Sequence, residues 1–458
     1  MKKFLIFVVL SLIVILTVFF NRSYILSNFL KYEYRYTLKK IFPLVSVSQH
    51  KIKLANSSKK IKLLQTEYLN LNFPRFVEGQ TNNQSFSKDQ ILLSEFNLSS
   101  FKPLGSRAYI TDYNNNIFMG KGDGTIFFID TSNIVKLNEI FIKEIKSNLL
   151  DNFYKLQHNT YYDESFLKDI LIYKNYLYIS IVDKNKPYCY TNKIYRAKIN
   201  DNFLNFENFF DIKECQPLNT LQTGGSLEIL GNTILMSIGD YDSYIRDFPN
   251  KNPQDPKSLI GKIISININT KENKIISMGH RNPQGLYFDS ISNKIYSTEH
   301  GPEGGDEINV IDLNLKNKKF NFGWGISSYG EHYGGKNDYN KRNYKMAPLE
   351  KSHRKYGFIE PIYYFTPSIG ITEIIKLNDF FKNGSNNNLI IGSMGNDPEV
   401  GNSLYIIGVD EKDKIQNIDR IKEVGRVRSI TYNKTKNAIF FYSEKNGGTL
   451  FFLRNSYN

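Results

Sequence analysis

Several common catalytic signatures are missing from this chain of 458 residues. It contains no phosphate-binding loop of the ATPase type, no HExxH metal motif and no G-x-S-x-G turn. Nothing in it therefore indicates a kinase, a zinc protease or a serine hydrolase. Tryptophan and methionine are scarce, with one and six residues, whereas 31 Tyr and 33 Phe are present. Because aromatic side chains pack well on a pleated sheet, this composition favours a fold rich in β-strands.

Acidic residues are outnumbered, with 45 Asp and Glu against 59 Lys and Arg, which gives a formal net charge of +14. A basic balance can indicate binding to nucleic acids or to anionic membranes. Here the lysines are spread along the chain and do not form blocks, which is typical of a solvated surface. We therefore predict no nucleic-acid partner.

Cysteine is almost absent, so the chain can form at most one disulfide bond. Cys189 and Cys215 flank a predicted pair of strands and could meet at the strand ends. In an oxidising compartment such a bond would stabilise the fold by about 2–4 kcal/mol. Two buried thiols are the alternative, and the sequence leaves both open.

One apolar run stands near the N-terminus, FLIFVVLSLIVILTVFF at residues 4–20, and two lysines precede it. About 20 apolar residues typically span a bilayer and about 17 are the lower limit. No small-residue cleavage site follows the run, which favours an uncleaved signal anchor over a cleaved signal peptide. We predict a single membrane-spanning helix within residues 1–22. A large following domain usually crosses the membrane whatever its charge, so we place it on the periplasmic or another extracytoplasmic side of the cytoplasmic membrane.

We predict a stalk and the first strands at residues 23–100. A repeated unit fills residues 101–458. Each unit has an apolar strand, a tight turn of Asn, Asp or Lys, and further apolar strands. Six copies recur, mostly about 55–60 residues apart, without the helical patterns that a parallel α/β sheet needs. This period predicts an all-β chain with a six-bladed β-propeller. An array of β-sandwiches would not explain why loops of one type recur at the same place in each copy.

Three motifs follow one another between residues 279 and 328: RNPQG, HGPEGGDEIN and NFGW. In this order they resemble the glucose/sorbosone dehydrogenases, soluble sugar dehydrogenases that carry pyrroloquinoline quinone (PQQ) on a six-bladed propeller. The resemblance covers roughly residues 100–455. It implies that Arg281, Asn282 and Gln284 contact the cofactor, with Arg281 also near its reacting carbonyl.

Two further cofactor contacts are implied by the same resemblance. Arg426 and Arg428 in GRVRSI stand one residue apart before a predicted strand, so their side chains should face the same way. They resemble an Arg-x-Arg pair that supports the cofactor carboxylates; an ordinary edge strand is the alternative. Tyr333 falls where related proteins place an aromatic residue against the cofactor.

The HGPEGGDEIN loop offers only oxygen ligands, which suit Ca²⁺. The candidate ligands are the carbonyls of Gly301 and Pro302 and the carboxylates of Asp306 and Glu307. The resemblance implies that the two carbonyls hold a cofactor-bound ion. It also implies that Glu307, with the Phe322 carbonyl, holds a structural ion. A surface turn whose acids cap backbone amides is the alternative.

The match fails at the catalytic base. Where the family carries a histidine before a strand that ends in Gly-Asp, this chain has Gln222, which cannot accept a proton. Loss of a general base costs about 10²- to 10⁴-fold in rate. A cofactor-binding lysine of the family falls near Gly395. His158, His280 and His300 are possible substitutes for the base, although a structural or surface role is the more common one for such residues.

Three function classes stay open from sequence. The first is a membrane-anchored, PQQ-dependent sugar or aldose dehydrogenase that transfers hydride to a Ca²⁺-bound quinone, with activity weakened by Gln222. The second is a non-catalytic envelope propeller that binds a carbohydrate or a protein partner. The third is a Ca²⁺-dependent, lactonase-like hydrolase. The RNPQG loop beside the acidic loop favours the first class over the third.

Overall fold

The computed structural model describes twelve stretches of the chain. They are residues 58–63, 65–73, 87–100, 107–149, 166–186, 189–199, 202–215, 222–241, 252–316, 318–381, 387–397 and 399–455. All of them belong to one compact unit, Asn56–Asn458. The predicted anchor at residues 1–22 lies outside the described residues. Among the residues that are described, no helix combines the length and apolar character needed to cross a bilayer.

Almost all regular structure in these stretches is β-strand. The strands are β1 Ser58–Lys62, β2 Gln65–Phe73, β3 Ser87–Asn97, β4 Ala108–Tyr113, β5 Asn116–Lys121, β6 Ile126–Asp130, β7 Glu139–Ser147, β8 Leu167–Tyr173, β9 Tyr176–Lys186, β10 Cys189–Lys198, β11 Phe203–Leu204, β12 Glu207–Asp211, β13 Gly224–Leu230, β14 Thr233–Ile238, β15 Lys262–Asn267, β16 Asn273–Met278, β17 Pro283–Asp289, β18 Lys294–Glu299, β19 Asp306–Asp312, β20 Phe320–Asn321, β21 Tyr363–Phe365, β22 Ile371–Asn378, β23 Asn387–Ser393, β24 Leu404–Val409, β25 Ile415–Ile421, β26 Val427–Asn433, β27 Ala438–Ser443 and β28 Thr449–Asn455. Two short α-helices are α1 Ile134–Leu137 and α2 Lys341–Met346. Single 3₁₀ turns cover Leu98–Ser100, Asn252–Gln254, Asp338–Asn340, Arg354–Tyr356 and Lys445–Gly447.

The strands form six sheets, which are the blades of the predicted propeller. In sequence order the blades start with β4, β8, β13, β17, β22 and β26, and each continues outward with the strands that follow. Every first strand contacts the first strand of the next blade, and β26 contacts β4, so the ring closes. The prediction of an all-β, six-bladed propeller is therefore confirmed.

The last blade is completed by a strand that precedes all six repeats in sequence. Strand β3 pairs with β28, and β2 pairs with β3 on the outside. In the same way β1 adds an outer strand to the first blade through β7. The segment that the sequence assigned to a stalk and first strands thus supplies edges to the first and last blades.

Hydrophobic side chains fill the spaces between neighbouring blades. One cluster, for example, joins Ile375 and Ile406 of the fifth blade to Ile439 and Phe441 of the sixth. Equivalent clusters lie between each other pair of adjacent blades. Because the apolar residues are used between the sheets, the polar loops at the strand ends remain available for a site.

A small irregularity recurs at the start of five of the six first strands. The pairing register shifts near the first residues of β8, β13, β17, β22 and β26. Three of these bulges have a single extra residue, and it is polar in each: Lys168, Gln284 and Arg428. Bulges change the direction in which a side chain points, and they are frequent beside functional sites. The fold thus repeats one local feature at the same end of several blades.

The two cysteines form a disulfide bond. Cys189 opens β10 and Cys215 follows β12, and their Cα atoms are 4.6 Å apart. The bond connects the two outer strands of the second blade.

Candidate active site

Arg281 lies at the centre of the loop contacts. It is 3% exposed, and its backbone N–H donates to the Glu299 carboxylate. Its Nη1 donates to the carbonyl oxygens of His300, at 3.1 Å, and Gly301, at 2.5 Å. The guanidinium group thus cross-links the RNPQG loop to the start of the acidic loop.

The residue before it, His280, has contacts at both ring nitrogens. Its Nδ1 lies 2.8 Å from Glu299 Oε2, and its Nε2 lies 2.8 Å from Ser277 Oγ. His280 is also completely buried. A ring with both nitrogens engaged and no exposure cannot serve a substrate as a base, so His280 has a structural role.

The RNPQG loop also contacts the turn that carries Gln222. The Asn282 Oδ1 atom accepts from the backbone N–H of Gly224 at 3.1 Å and from Gln284 Nε2 at 2.9 Å. Gln222 has a positive φ of 50°, and its carbonyl accepts from Tyr241 N–H at 2.9 Å. The structure therefore brings the predicted cofactor contacts and the position of the missing base side by side.

The single tryptophan forms part of the same layer. Trp324 Nε1 donates to Asp240 Oδ2 at 2.7 Å, and the Arg281 Cζ atom lies 5.3 Å from the centre of the indole ring. The N–H of Asp240 donates in turn to the Arg281 carbonyl at 2.7 Å. Sequence reasoning did not assign a role to Asp240, although the Gly-Asp strand end and the NFGW turn were both visible signals.

The acidic cluster, which we define as Glu299, Asp306 and Glu307, is satisfied inside the protein. Asp306 is fully buried; its Oδ1 accepts from Gly301 N–H and Ser368 Oγ, and its Oδ2 accepts from Ile371 N–H, each at 3.0 Å. The bonds from Ser368 and Ile371 connect the acidic loop to the fifth blade. Asp306 was a predicted metal ligand, and here its oxygens bind protein groups.

Glu307 has a histidine partner that the sequence did not suggest. The Glu307 Oε1 atom lies 3.3 Å from His353 Nε2, and Asn309 Nδ2 donates to its Oε2 at 3.3 Å. Burial raises the pKa of Glu307, and the contact with His353 opposes that rise. The other ring nitrogen of His353, Nδ1, donates to the carbonyl of Phe322 at 2.8 Å. Both groups predicted to hold a structural ion therefore contact one imidazole.

No metal group is formed by acidic, histidine and cysteine side chains in the twelve described stretches. The two predicted carbonyl ligands have protein partners as well. The Gly301 carbonyl accepts from Arg281, and the Pro302 carbonyl accepts from Ser368 Oγ at the long distance of 3.5 Å. A carbonyl oxygen has a second lone pair, so these two atoms retain the capacity to bind a cation.

Arg426 and Arg428 meet on one carboxylate. Glu444 Oε2 lies 2.9 Å from Arg426 Nε, and its Oε1 lies 2.5 Å from Arg428 Nη2. Arg426 Nη1 also donates to the Met394 carbonyl at 2.7 Å, next to Gly395. A side chain at Gly395 is sterically excluded, because its Cβ would lie 2.6 Å from the Ile369 carbonyl oxygen. The family's lysine therefore has no room at that position.

Two more cations, Arg107 and Lys168, lie within electrostatic range of this pair. Burial and Arg428 lower the pKa of Arg107. Burial, together with Arg107 and Arg428, holds the pKa of Lys168 well below its ordinary range. Lys168 packs over Gly225, where an added Cβ would meet the lysine Cβ at 2.4 Å. We call Arg107, Lys168, Arg426 and Arg428 the basic cluster; sequence reasoning found only the last two.

The remaining predicted residues lie at the edge of this region. Tyr333 is 64% exposed, and its loop is tied to the acidic loop by pairing of Glu303 with Glu331. His300 lies with its Nδ1 4.0 Å from Asp306 Oδ1. Burial lowers the pKa of His300, with Asp306 acting in the opposite direction. His158 lies outside the described residues.

A small pocket, partly open to solvent, lies among these loops. Its lining includes Arg281, Glu299, His300, Glu307, Trp324 and His353. The basic cluster does not line this pocket, but Arg426 and Arg428 contribute to the lowered pKa of His300, so they lie within electrostatic range of it.

Comparison with known proteins places this arrangement in a family. A model of the Glucose / Sorbosone dehydrogenase family matches residues 158–452. The chain is 30% identical over 158 residues to the aldose sugar dehydrogenase YliI of Escherichia coli, a match that spans 34% of each protein. It is 33% identical over 108 residues to quinoprotein glucose dehydrogenase B of Acinetobacter calcoaceticus, spanning 21% of this chain and 20% of that protein. These matches span about a third and a fifth of the relatives' lengths.

The fold is shared over a longer region. The apo-form structure of the soluble aldose sugar dehydrogenase from Escherichia coli superimposes with a TM-score of 0.58 and 18% identity. That superposition covers 77% of this chain and 97% of the other. With a family model that matches well over half of its residues, this chain belongs to the glucose/sorbosone dehydrogenase family.

Proposed function

We propose that this chain binds a polyanionic quinone of the PQQ type over its channel and acts there as a sugar dehydrogenase with weakened proton transfer. The observation that carries this proposal is the grouping of four basic residues in the basic cluster. Two of them, Arg426 and Arg428, are bonded to Glu444. Burial lowers the pKa values of Arg107 and Lys168, and repulsion within the cluster lowers them further.

A ligand with several carboxylates would offset that repulsion. PQQ carries three carboxylates, and hydrogen bonds between ionised partners are the strong ones. Arg107 precedes the first strand of the first blade and Lys168 lies in the first strand of the second blade, so they would approach such a ligand from blades other than the fifth, which carries Gly395. We propose that they supply the positive charge that the family's lysine provides elsewhere.

The neighbouring loops would complete the site. Arg281 and Gln284 stand where the family contacts its cofactor, and Asn282 holds Gln284 and the Gln222 turn in place. The carbonyls of Gly301 and Pro302 would hold a Ca²⁺ ion at the cofactor. A bound quinone accepts hydride, and a cation at its carbonyl makes it a better acceptor.

Proton removal is the weak step of the proposed reaction. The Gln222 amide can orient a sugar hydroxyl through hydrogen bonds, but it cannot take the hydroxyl proton. The proposed enzyme is therefore slower than one with a histidine there, by about 10²- to 10⁴-fold. The proposed substrates are small sugars or aldoses, in keeping with the name of the Escherichia coli relative.

A non-catalytic propeller is the second candidate. It is favoured by Gln222 and by Gly395, since both depart from the family pattern at positions that touch the chemistry. Such a protein would keep the basic cluster for an anionic carbohydrate or protein partner. A Ca²⁺-dependent hydrolase gains no support, because Asp306 and Glu307 have protein partners.

We also propose that residues 1–22 anchor the protein in the cytoplasmic membrane with the propeller on the extracytoplasmic side. The Cys189–Cys215 bond supports this placement, since disulfides persist in oxidising compartments. Alkaline phosphatase fused after residue 458 should be active in cells, whereas a cytoplasmic propeller would leave the fusion inactive.

The test of function is a calorimetric titration of the full-length protein in detergent with PQQ, with and without Ca²⁺. We expect micromolar or tighter binding. Dye-linked turnover of aldoses by the loaded protein would then separate the dehydrogenase from the binding propeller. Absence of PQQ binding would exclude the proposed dehydrogenase.

A further inference from the structure

His353 connects three separate segments of the loops. It belongs to the loop between α2 and β21, while Glu307 lies in β19 and Phe322 follows β20. Its Nδ1 donates to the Phe322 carbonyl at 2.8 Å, and its Nε2 lies 3.3 Å from Glu307 Oε1. The second contact is an ion pair and not a well-aligned hydrogen bond.

The ring is fixed in this position. His353 is 1% exposed, and Tyr329 stacks on it with ring centres 5.4 Å apart and planes at 24°. The Tyr329 hydroxyl donates to Glu360 Oε2 at 2.8 Å, which holds the stacking partner. The ring therefore has little freedom to turn away from Glu307 and Phe322.

Both atoms that face the ring nitrogens are acceptors. A carboxylate oxygen and a carbonyl oxygen can each accept a proton or bind a hard cation, and neither can donate. The imidazole of His353 contacts both of these oxygens at once. A divalent ion at the same place would compete with the ring for the same two oxygens.

We propose that His353 takes the place of a structural Ca²⁺ ion in this chain, by linking Glu307 to the Phe322 carbonyl through its buried ring. The residues predicted to hold that ion therefore do not fit a metal while His353 is present. It follows that the propeller is stable without Ca²⁺. This inference does not depend on whether the chain binds a quinone.

Removing the ring should expose a cation site. In His353→Ala, Glu307 and the Phe322 carbonyl lose their partner next to the pocket that both residues line. Their oxygens and water would then be available to Ca²⁺. The stability of the variant should thus depend on Ca²⁺, whereas that of wild type depends on His353. A purely packing role of His353 would not make stability depend on Ca²⁺.

The test is the melting temperature of the full-length protein without PQQ, measured in excess EDTA and in 5–10 mM Ca²⁺ (roughly the range that saturates weak sites). We expect wild type to melt at the same temperature in both. His353→Ala should melt roughly 5 °C lower or more in EDTA and recover at least half of that loss in Ca²⁺. His332→Ala is the matched control, a buried histidine bonded to the Ala347 carbonyl at 2.7 Å. It should lose stability without recovering it in Ca²⁺.

A wild-type protein that loses several degrees in EDTA would overturn the proposal, and this arm requires no variant. The proposal would also be overturned if His353→Ala melted at the wild-type temperature and did not respond to Ca²⁺. If His353→Ala fails to fold, His353→Asn keeps a donor for the Phe322 carbonyl and loses the Glu307 contact. It should show a smaller loss and the same recovery, and a loss without recovery would contradict the account.

Discussion

The acidic cluster and the basic cluster lie at the same end of the blades, yet they differ in how their charges are balanced. Asp306 accepts three hydrogen bonds from the surrounding loops, and Glu307 meets His353. The basic cluster has four cations, of which Arg426 and Arg428 share Glu444. The acids are thus paired with protein groups, whereas the basic cluster gathers four basic residues, two of which are bonded to one carboxylate.

This difference indicates that the acidic cluster has a structural role and that the basic cluster is suited to an anionic ligand. Burial and repulsion within the cluster both lower the pKa values of Arg107 and Lys168, and an anionic ligand would offset that repulsion. On the acidic side, substitutions should alter stability. On the basic side, they should alter anion binding.

The largest expected effect comes from restoring a proton acceptor in the turn that contacts the RNPQG loop. Gln222→His should raise dye-linked aldose turnover of the PQQ-loaded protein by roughly 10²-fold or more, because it adds the general base that glutamine cannot provide. Gln222→Asn is the control, since it keeps an amide and should give no gain. If PQQ bound tightly but Gln222→His gave no gain in turnover, the low activity would have a cause other than the missing base.

The next effect tests the basic cluster directly. Arg428→Gln should weaken PQQ affinity by roughly 10- to 100-fold, because it removes a buried, charge-assisted donor. Its Glu444 partner would still be paired with Arg426. Glu444→Gln makes the opposite change in charge, and it should leave affinity unchanged or slightly tighter. Equal weakening by both variants would indicate general damage and contradict the charge argument.

A smaller effect is expected for a cation that the family pattern does not include. Lys168→Gln should weaken PQQ affinity by roughly 3- to 10-fold and reduce the dependence of affinity on salt. Lys422, an exposed residue beyond β25, provides a control with the same change in net charge. If Lys422→Gln weakened binding as much, the effect would reflect overall charge and not the cluster.

The smallest effect concerns a carboxyl group in β13, in the interior of the ring of first strands. Burial raises the pKa of Glu228 from 4.5 to about 7, and its Oε1 accepts from Ile229 N–H at 2.6 Å. The folded protein therefore keeps this proton at pH values where the unfolded chain has lost it. The resulting contribution to stability is complete below pH 4.5 and is lost as the pH rises through about 7.

Glu228→Gln should abolish that loss. Between pH 5 and pH 8, its free energy of unfolding should fall by about 1–3 kcal/mol less than that of wild type. Denaturant titrations at the two pH values measure the difference, with Glu411→Gln as an exposed control. Parallel pH profiles for wild type and Glu228→Gln would contradict the assigned pKa.

Much of this architecture could be predicted from the sequence, because it depends on local patterns. Alternating apolar residues and tight turns such as Asn114–Asn115, both with positive φ, mark the strands and hairpins of each blade. The motif residues Arg281, Asn282 and Gln222 could be placed near one another, since similar loops recur at the same end of every blade. The pairing of β3 with β28 could not be predicted, because pairing between strands distant in sequence has no local signal.

The electrostatic partners were also beyond local reasoning. His353 lies 46 residues after Glu307 and comes from a loop without regular pattern, so nothing near either residue announces their contact. Lys168 becomes part of the basic cluster through a bulge and through the absence of a side chain at Gly225. From the sequence alone, Glu444 looks like a surface acid. In the fold it lies between two arginines.

The most direct test of the central claim is a calorimetric titration of full-length wild type and Arg428→Gln with PQQ at low and at physiological salt. We predict micromolar or tighter binding by wild type, weakened by salt, and a clear loss of affinity in Arg428→Gln. Absence of binding by wild type, or equal affinity of the two proteins, would contradict the claim that the basic cluster is an anion site.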